Sequence, residues 1–180
     1  AADDPRAFLG PVVDEEAHTR ILATIESAKA SARLAYQGPA PSGGYYIGPT
    51  IFADVDPKSD LAQNEVFGPV LAVIKAKGMD QALQIANATE YALTGGLYSR
   101  SPATIERVKR EFEVGNLYIN RGNTGALVER HPFGGFKMSG GGTKAGGPDY
   151  LLQFMEPRVI TENTMRRGFV PSDEEPKASV

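Results

Sequence analysis

Between Val70 and Ile119, apolar strand runs alternate with amphipathic helical stretches, and this alternation restricts the fold more than any other feature of the 180-residue sequence. Val70 to Lys75 is an apolar run that reads as a strand. Asp80 to Ala88 follows as a helix with Leu83 and Ala86 inward, then Gly96 to Tyr98 as a second strand. Ser101-Pro102 opens the next helix, because serine can cap free amides and proline suits the first helical position, where its missing N–H costs nothing. Ile105, Val108 and Phe112 mark the buried face, Gly115 ends the helix, and Asn116 to Ile119 supplies a third strand. This β-α-β-α-β order predicts an α/β fold with a mostly parallel sheet and flanking helices. Ligands bind such sheets beyond the carboxyl ends of the strands, which directs attention to the loop Asn120 to Ala126.

The flanks are read in the same way. Asp14-Glu15-Glu16 is a helix start, and Ile21, Ile25, Ala28 and Ala32 at helical spacing predict one amphipathic helix from about Glu15 to Ala35. Gly38 to Gly44 is a loop. Tyr45 to Ile47 and Thr50 to Ala53 read as strands or extended edges. Beyond Ile119, Leu127-Val128 is a short apolar run, and Pro132 to Gly142 is a glycine-rich crossing. A last element begins near Leu151, Arg158 to Thr161 alternates like an exposed strand, and the chain from Arg166 is polar. The expected layout is a main unit over 1–150, a strand element over 151–165 and a flexible polar tail over 166–180.

Nineteen Lys and Arg against 22 Asp and Glu give a net charge of −3, so no basic field is available to hold nucleic acid or an anionic membrane. No run approaches the roughly 20 apolar residues of a bilayer span. Nor is there a basic stretch leading into an apolar export signal, so the expected setting is cytoplasmic, or the mitochondrial matrix in a eukaryote. Cysteine is absent, which removes disulfides, thiolate metal sites and a cysteine nucleophile from these residues. With two histidines and no H-E-x-x-H, no metal site is expected.

Several motifs have plain readings. Gly140 to Ala145 fits a loose dinucleotide spacing but does not sit between a strand and a helix. Asp54, Asp56 and Asp60 lack the glycine and terminal glutamate of a calcium loop and read as a solvated turn. Asn87-Ala88-Thr89 is a helix end. Two motifs stay open on the residues alone. Glu65, before an apolar strand and two residues from Phe67, is either a surface glutamate or a carboxylate able to accept two hydrogen bonds from a ribose-like diol. Thr124-Gly125-Ala126 is either an ordinary tight turn or a loop whose exposed N–H groups can approach a carboxylate.

Glu65 to Val70, Gly115 to Asn120 and Pro132 to Gly140 together resemble the NAD(P)-dependent aldehyde dehydrogenases. Thr124 to Ala126 and Lys144 to Leu151 resemble more narrowly the 1-pyrroline-5-carboxylate dehydrogenases, also called L-glutamate γ-semialdehyde dehydrogenases. The match runs from about Phe8 to Met165. The resemblance implies that this chain is the carboxy-terminal portion of such an enzyme, and that an NAD domain, a general-base glutamate and a nucleophilic cysteine precede residue 1, so that no catalytic residue lies within the chain and the chain alone is inactive. In that family the thiolate attacks the aldehyde, hydride passes to the nicotinamide, and water releases the acid. The resemblance assigns Glu65 to the nicotinamide ribose and Phe67 to the same end of the cofactor, NAD with NADP not excluded. It assigns Gly125 and Ala126 to a main-chain anchor for the substrate carboxylate, and Phe133 to the aromatic wall around the aldehyde chain. Lys137 and Ser139 are expected to be structural, and His131 has no assigned role. The run 154–162 resembles the strand that relatives add to a partner subunit, implying a homo-oligomer. The partners implied are an aldehyde bearing a carboxylate and the missing amino-terminal half, or, for the chain by itself, a role as a non-catalytic assembly module. A semialdehyde dehydrogenase acting on a homologous substrate is the nearest alternative.

Overall fold

The computed structural model describes residues 9–163. The polar tail expected over 166–180 lies outside them, as do Phe8, Met165 and residue 164.

Helix α1 (Glu15–Ala28) starts where the Asp14 carboxylate accepts the Ala17 N–H at 2.8 Å, with Glu15 and Glu16 at the positive end of the helix dipole. Ile21, Ile25 and Ala28 form its buried stripe. The helix expected to reach Ala35 stops at Ala28. Ala30 and Ser31 bond the carbonyls of Ser27 and Ala28, three residues back, and Arg33–Gln37 becomes strand β1. The alanine-rich stretch favours helix locally, but antiparallel pairing with β2 (Thr50–Ala53) overrides that preference. Tyr45 to Ile47, expected as a strand, forms none. Tyr45 accepts one backbone bond from Val12, and Ile47 is buried in the core.

β2 also pairs in parallel with β3 (Val70–Val73), so the three-stranded sheet runs β1-β2-β3. Phe52, fully buried at the centre of β2, packs with Ile21, Ile25, Ala28, Ile47 and Val55. Short helix α2 (Asp60–Gln63) connects β2 to β3, and α3 (Met79–Asn87) follows. Then come β4 (Tyr91–Ala92) and β5 (Thr94–Leu97), and α4 (Pro102–Glu111), where Ser101 Oγ accepts the Thr104 N–H at 3.3 Å as the Ser-Pro signal requires. β6 (Asn116–Ile119) pairs in parallel with β5, and β7 (Phe136–Lys137) pairs antiparallel with β4. The α/β class is as expected, and β3, α3, β5, α4 and β6 follow in the expected order, while β1, α2, β4 and β7 were not expected. The strands of the Val70–Ile119 unit fall into three sheets, however: β3 pairs with β2, β4 pairs with β7, and the crossover through α4 brings β6 beside β5. Hydrophobic periodicity fixes the type of an element, not the edge it pairs with.

The acidic turn after β2 is a charge clasp. Asp54 bonds Lys75 at 2.6 Å and Arg33 at 2.9 Å, tying together the ends of the sheet. Asp56 accepts the Lys58 N–H, and Asp60 accepts from Asn64. The bonds from Lys75 and then Arg33 hold the Asp54 carboxyl below its ordinary range. A carboxylate depressed in the folded state stabilises above its unfolded-state value and loses that contribution as pH falls through the folded value. Urea midpoints measured across the acid range should therefore decline less for Asp54→Asn than for the parental protein. Because the clasp is exposed, the difference should be small and should shrink in high salt.

The chain ends, within the described residues, in a 3₁₀ turn (Tyr150–Phe154) and a stretch over 155–163 that forms no helix or strand within the chain. Val159 and Ile160 in it are exposed.

Candidate functional site

Glu65 leaves α2 in the segment Asn64 to Pro69, and three contacts fix that segment. The Arg20 guanidinium donates to Val66 O at 2.9 Å, Thr50 N–H donates to Pro69 O, and Gly68 lies against Ile21, where a Cβ would stand 2.8 Å from Ile21 Cδ1. The segment is therefore rigid backbone carrying an exposed carboxylate. Among the described residues Glu65 has no hydrogen-bond or ion-pair partner, so all its acceptor capacity faces outward. Phe67 sits at φ +52°, a left-handed conformation uncommon for a bulky residue, and its ring is 78 % exposed. Glu65 lines a cavity of about 360 Å³ together with Thr89, Tyr91, Leu93, Thr94 and Ser139.

Phe133 lines a second cavity, of about 260 Å³, with Gly134, Gly135, Ser139 and the loop Gly140 to Ala145. Ser139 belongs to both cavities, and its hydroxyl accepts the Ala92 N–H at 3.0 Å. Lys137 reinforces this junction by donating to the carbonyls of Asn87 (2.6 Å) and Thr89 (3.2 Å) at the end of α3, with Glu113 at 3.4 Å. Asn87 in turn bonds Glu111 O and the Glu113 N–H, so the Asn-Ala-Thr motif is the helix end expected of it. The structural reading of Lys137 accords with these contacts, whereas Ser139 also walls both chambers.

Gly125 and Ala126 lie on the loop after β6 and line neither cavity. Gly125 takes φ +104°, Arg121 donates to Thr124 O at 2.9 Å, and the Arg121 guanidinium stands 5.4 Å from the centre of the Tyr118 ring. The N–H groups of Gly125 and Ala126 donate to no described acceptor and both residues are exposed, a geometry open to an anion. His131 exchanges backbone bonds with Leu127, closing the small loop that follows. The structure thus brings Glu65 and Phe133 to adjoining cavities and leaves the Gly125-Ala126 loop on the strand end beyond them.

Two cavities that share Ser139, one lined by an exposed carboxylate with no partner among the described residues and the other by an aromatic side chain on a glycine-rich crossing, are consistent with an aldehyde dehydrogenase scaffold. The aldehyde dehydrogenase family model matches residues 1–160, and the chain belongs to that family. Within it, the chain is 52% identical over 160 residues to the 1-pyrroline-5-carboxylate dehydrogenase of Geobacillus sp. (strain WCH70), covering 88% of this chain and 31% of that protein. Among solved structures it resembles proline utilization A (PutA) from Bdellovibrio bacteriovorus, with TM-score 0.85 and 64% identity over 94% of this chain and 18% of that one. It also resembles a Thermus 1-pyrroline-5-carboxylate dehydrogenase with bound NAD, with TM-score 0.79 and 52% identity over 82% of this chain and 29% of the other. The chain spans about a third of the length of the curated relatives it matches. Among the described residues, no helix is long and apolar enough to cross a membrane.

Proposed function

We propose that these residues are the later part of the catalytic domain of an NAD-dependent enzyme that oxidises L-glutamate γ-semialdehyde to L-glutamate in proline and arginine breakdown, in the cytoplasm or, in a eukaryote, the mitochondrial matrix. The carrying observation is the exposed Glu65 carboxylate, without a partner among the described residues, two positions from the exposed Phe67 and lining a cavity that shares Ser139 with the Phe133 cavity. NAD suits these residues: two carboxylate oxygens accept from a vicinal diol, and a flat ring offers a face to the nicotinamide end. When bound, the nicotinamide accepts the hydride.

The chain's own residues act by orientation. Glu65 and Phe67 fix one reactant, Phe133 encloses the aldehyde chain, and the free amides of Gly125 and Ala126 hold its distal carboxylate, so the reacting atoms meet with their freedom already restricted. The nucleophile and general base belong to an upstream part of the same enzyme, and the run 154–162 supplies an edge for a partner subunit. The absence of cysteine favours one further statement: this chain by itself has no turnover.

In the complete enzyme, NADH absorbance should rise with glutamate γ-semialdehyde. It should rise at least about tenfold less efficiently, in kcat/KM, with an aldehyde of equal chain length lacking the carboxylate, the cost of losing charge-assisted bonds to an anchored anion. Equal efficiency on both would remove the role of the anchor loop. The 180-residue chain alone should give no signal.

A further inference from the structure

The segment carrying Phe133 is fixed by side chains from two distant parts of the chain. Asn116, the first residue of β6, donates from Nδ2 to Pro132 O at 2.9 Å and accepts the Gly134 N–H at Oδ1 at 3.1 Å, so one carboxamide closes on the backbone either side of Phe133. Lys144 donates from Nζ to Gly134 O at 2.5 Å, and its ammonium lies 4.5 Å from the centre of the Phe136 ring. Phe133 and Ala145 also exchange two backbone bonds, of 3.0 and 2.8 Å. Burial pushes the Lys144 ammonium below its ordinary range. Asn116 is in parallel register with Thr94, which lines the Glu65 cavity, so the same strand start is bonded to the Phe133 segment and to the wall of the first chamber.

We infer that Asn116 and Lys144 are positioning residues that fix the Phe133 wall and thereby set how tightly the enzyme holds a short semialdehyde. The inference rests on the proposed role of Phe133. Neither side chain lies among the groups assigned to cofactor or substrate, and both act through the backbone of residues 132–134.

The test uses the complete enzyme with Asn116→Ala, Asn116→Asp, Lys144→Met and Lys144→Arg. Asn116→Ala and Lys144→Met should each raise KM for glutamate γ-semialdehyde about tenfold, with kcat within about twofold and KM for NAD unchanged, because displaced walls weaken uniform binding of one reactant only. Lys144→Arg, which keeps a cationic donor able to stack on Phe136, should restore most of the affinity. Asn116→Asp keeps an acceptor for Gly134 but sets a carboxylate oxygen against Pro132 O, so it should raise KM at least as much as Asn116→Ala. Hydrogen exchange at the Gly134 amide should quicken in Asn116→Ala, whether or not the enzyme oxidises this substrate. An unaltered enzyme inactive on the semialdehyde would refute the proposed function, and Gly134 exchange would then decide the clamp by itself. Unchanged exchange at Gly134, unchanged KM in both truncations, or an equal loss toward NAD and semialdehyde would overturn the inference.

Discussion

Gly115→Ala is expected to lower kcat/KM of the complete enzyme by about a hundredfold, the order reached when reacting groups are displaced by about an ångström. Gly115 precedes β6 where the backbone passes directly under the Phe133 crossing. A Cβ there would be driven onto the Gly134 carbonyl oxygen and would stand 2.5 Å from Gly135 Cα. Both obstacles are main chain, so no side chain can swing aside. Retreat on the other side is blocked as well, because Gly115 N–H is bonded to Ala92 O at 2.9 Å and Asn116 N–H to Leu93 O at 3.0 Å. The crossing must move, and it carries Phe133. Overpacking of this kind also destabilises by about 1–3 kcal/mol. Kinetics and a urea melt on the same preparation separate the two effects, and a variant that is less stable yet within twofold of parental kcat/KM would show that the crossing does not place the substrate wall.

Phe52→Ala should cost about 3–5 kcal/mol of folding free energy, the range for removing a fully enclosed aromatic ring. Phe52 has no exposed surface and lies on the middle strand of β1-β2-β3, facing the Ile21 and Ile25 stripe of α1. Its cluster draws on the helix, strand β3, the turn at Val55 and the loop at Ile47, so collapse into the cavity would require several elements to shift together. The expected readout is a lowered urea midpoint with an unchanged slope. Phe52→Leu, which retains most of the volume, should recover over half of the loss. A loss under about 1 kcal/mol in the alanine variant would mean that this ring is not central to the core.

What could be read from the sequence follows from how far apart the determining atoms lie along the chain. The starts of α1 and α4 were legible because Asp14 and Ser101 cap amides three residues away. β1 was not, because Lys29 to Ala35 is good helical sequence and only its partners in Thr50–Ala53 make a strand of it. β4 and β7 are each two residues long and have no period of their own. The site divides similarly. Glu65, Phe67 and Phe133 lie in compact motifs with recognisable neighbours, as do Gly125 and Ala126. Asn116 and Lys144 act on backbone atoms 18 and 10 residues away, and nothing local distinguishes an asparagine or lysine that will meet a carbonyl. Ser139 was visible within the Pro132 to Gly140 motif, but its place in the lining of both cavities emerges only once Ala92 is brought against it.

The partition formed by Ser139 carries an evolutionary consequence. Under the proposed roles, drift that widens the Phe133 cavity through this residue would also loosen the Glu65 cavity, so the two cannot diversify independently at that point. Under the same roles, changes of substrate range are expected at the outer rim of the Phe133 cavity, where Tyr150, Gln153 and Phe154 line no part of the Glu65 cavity.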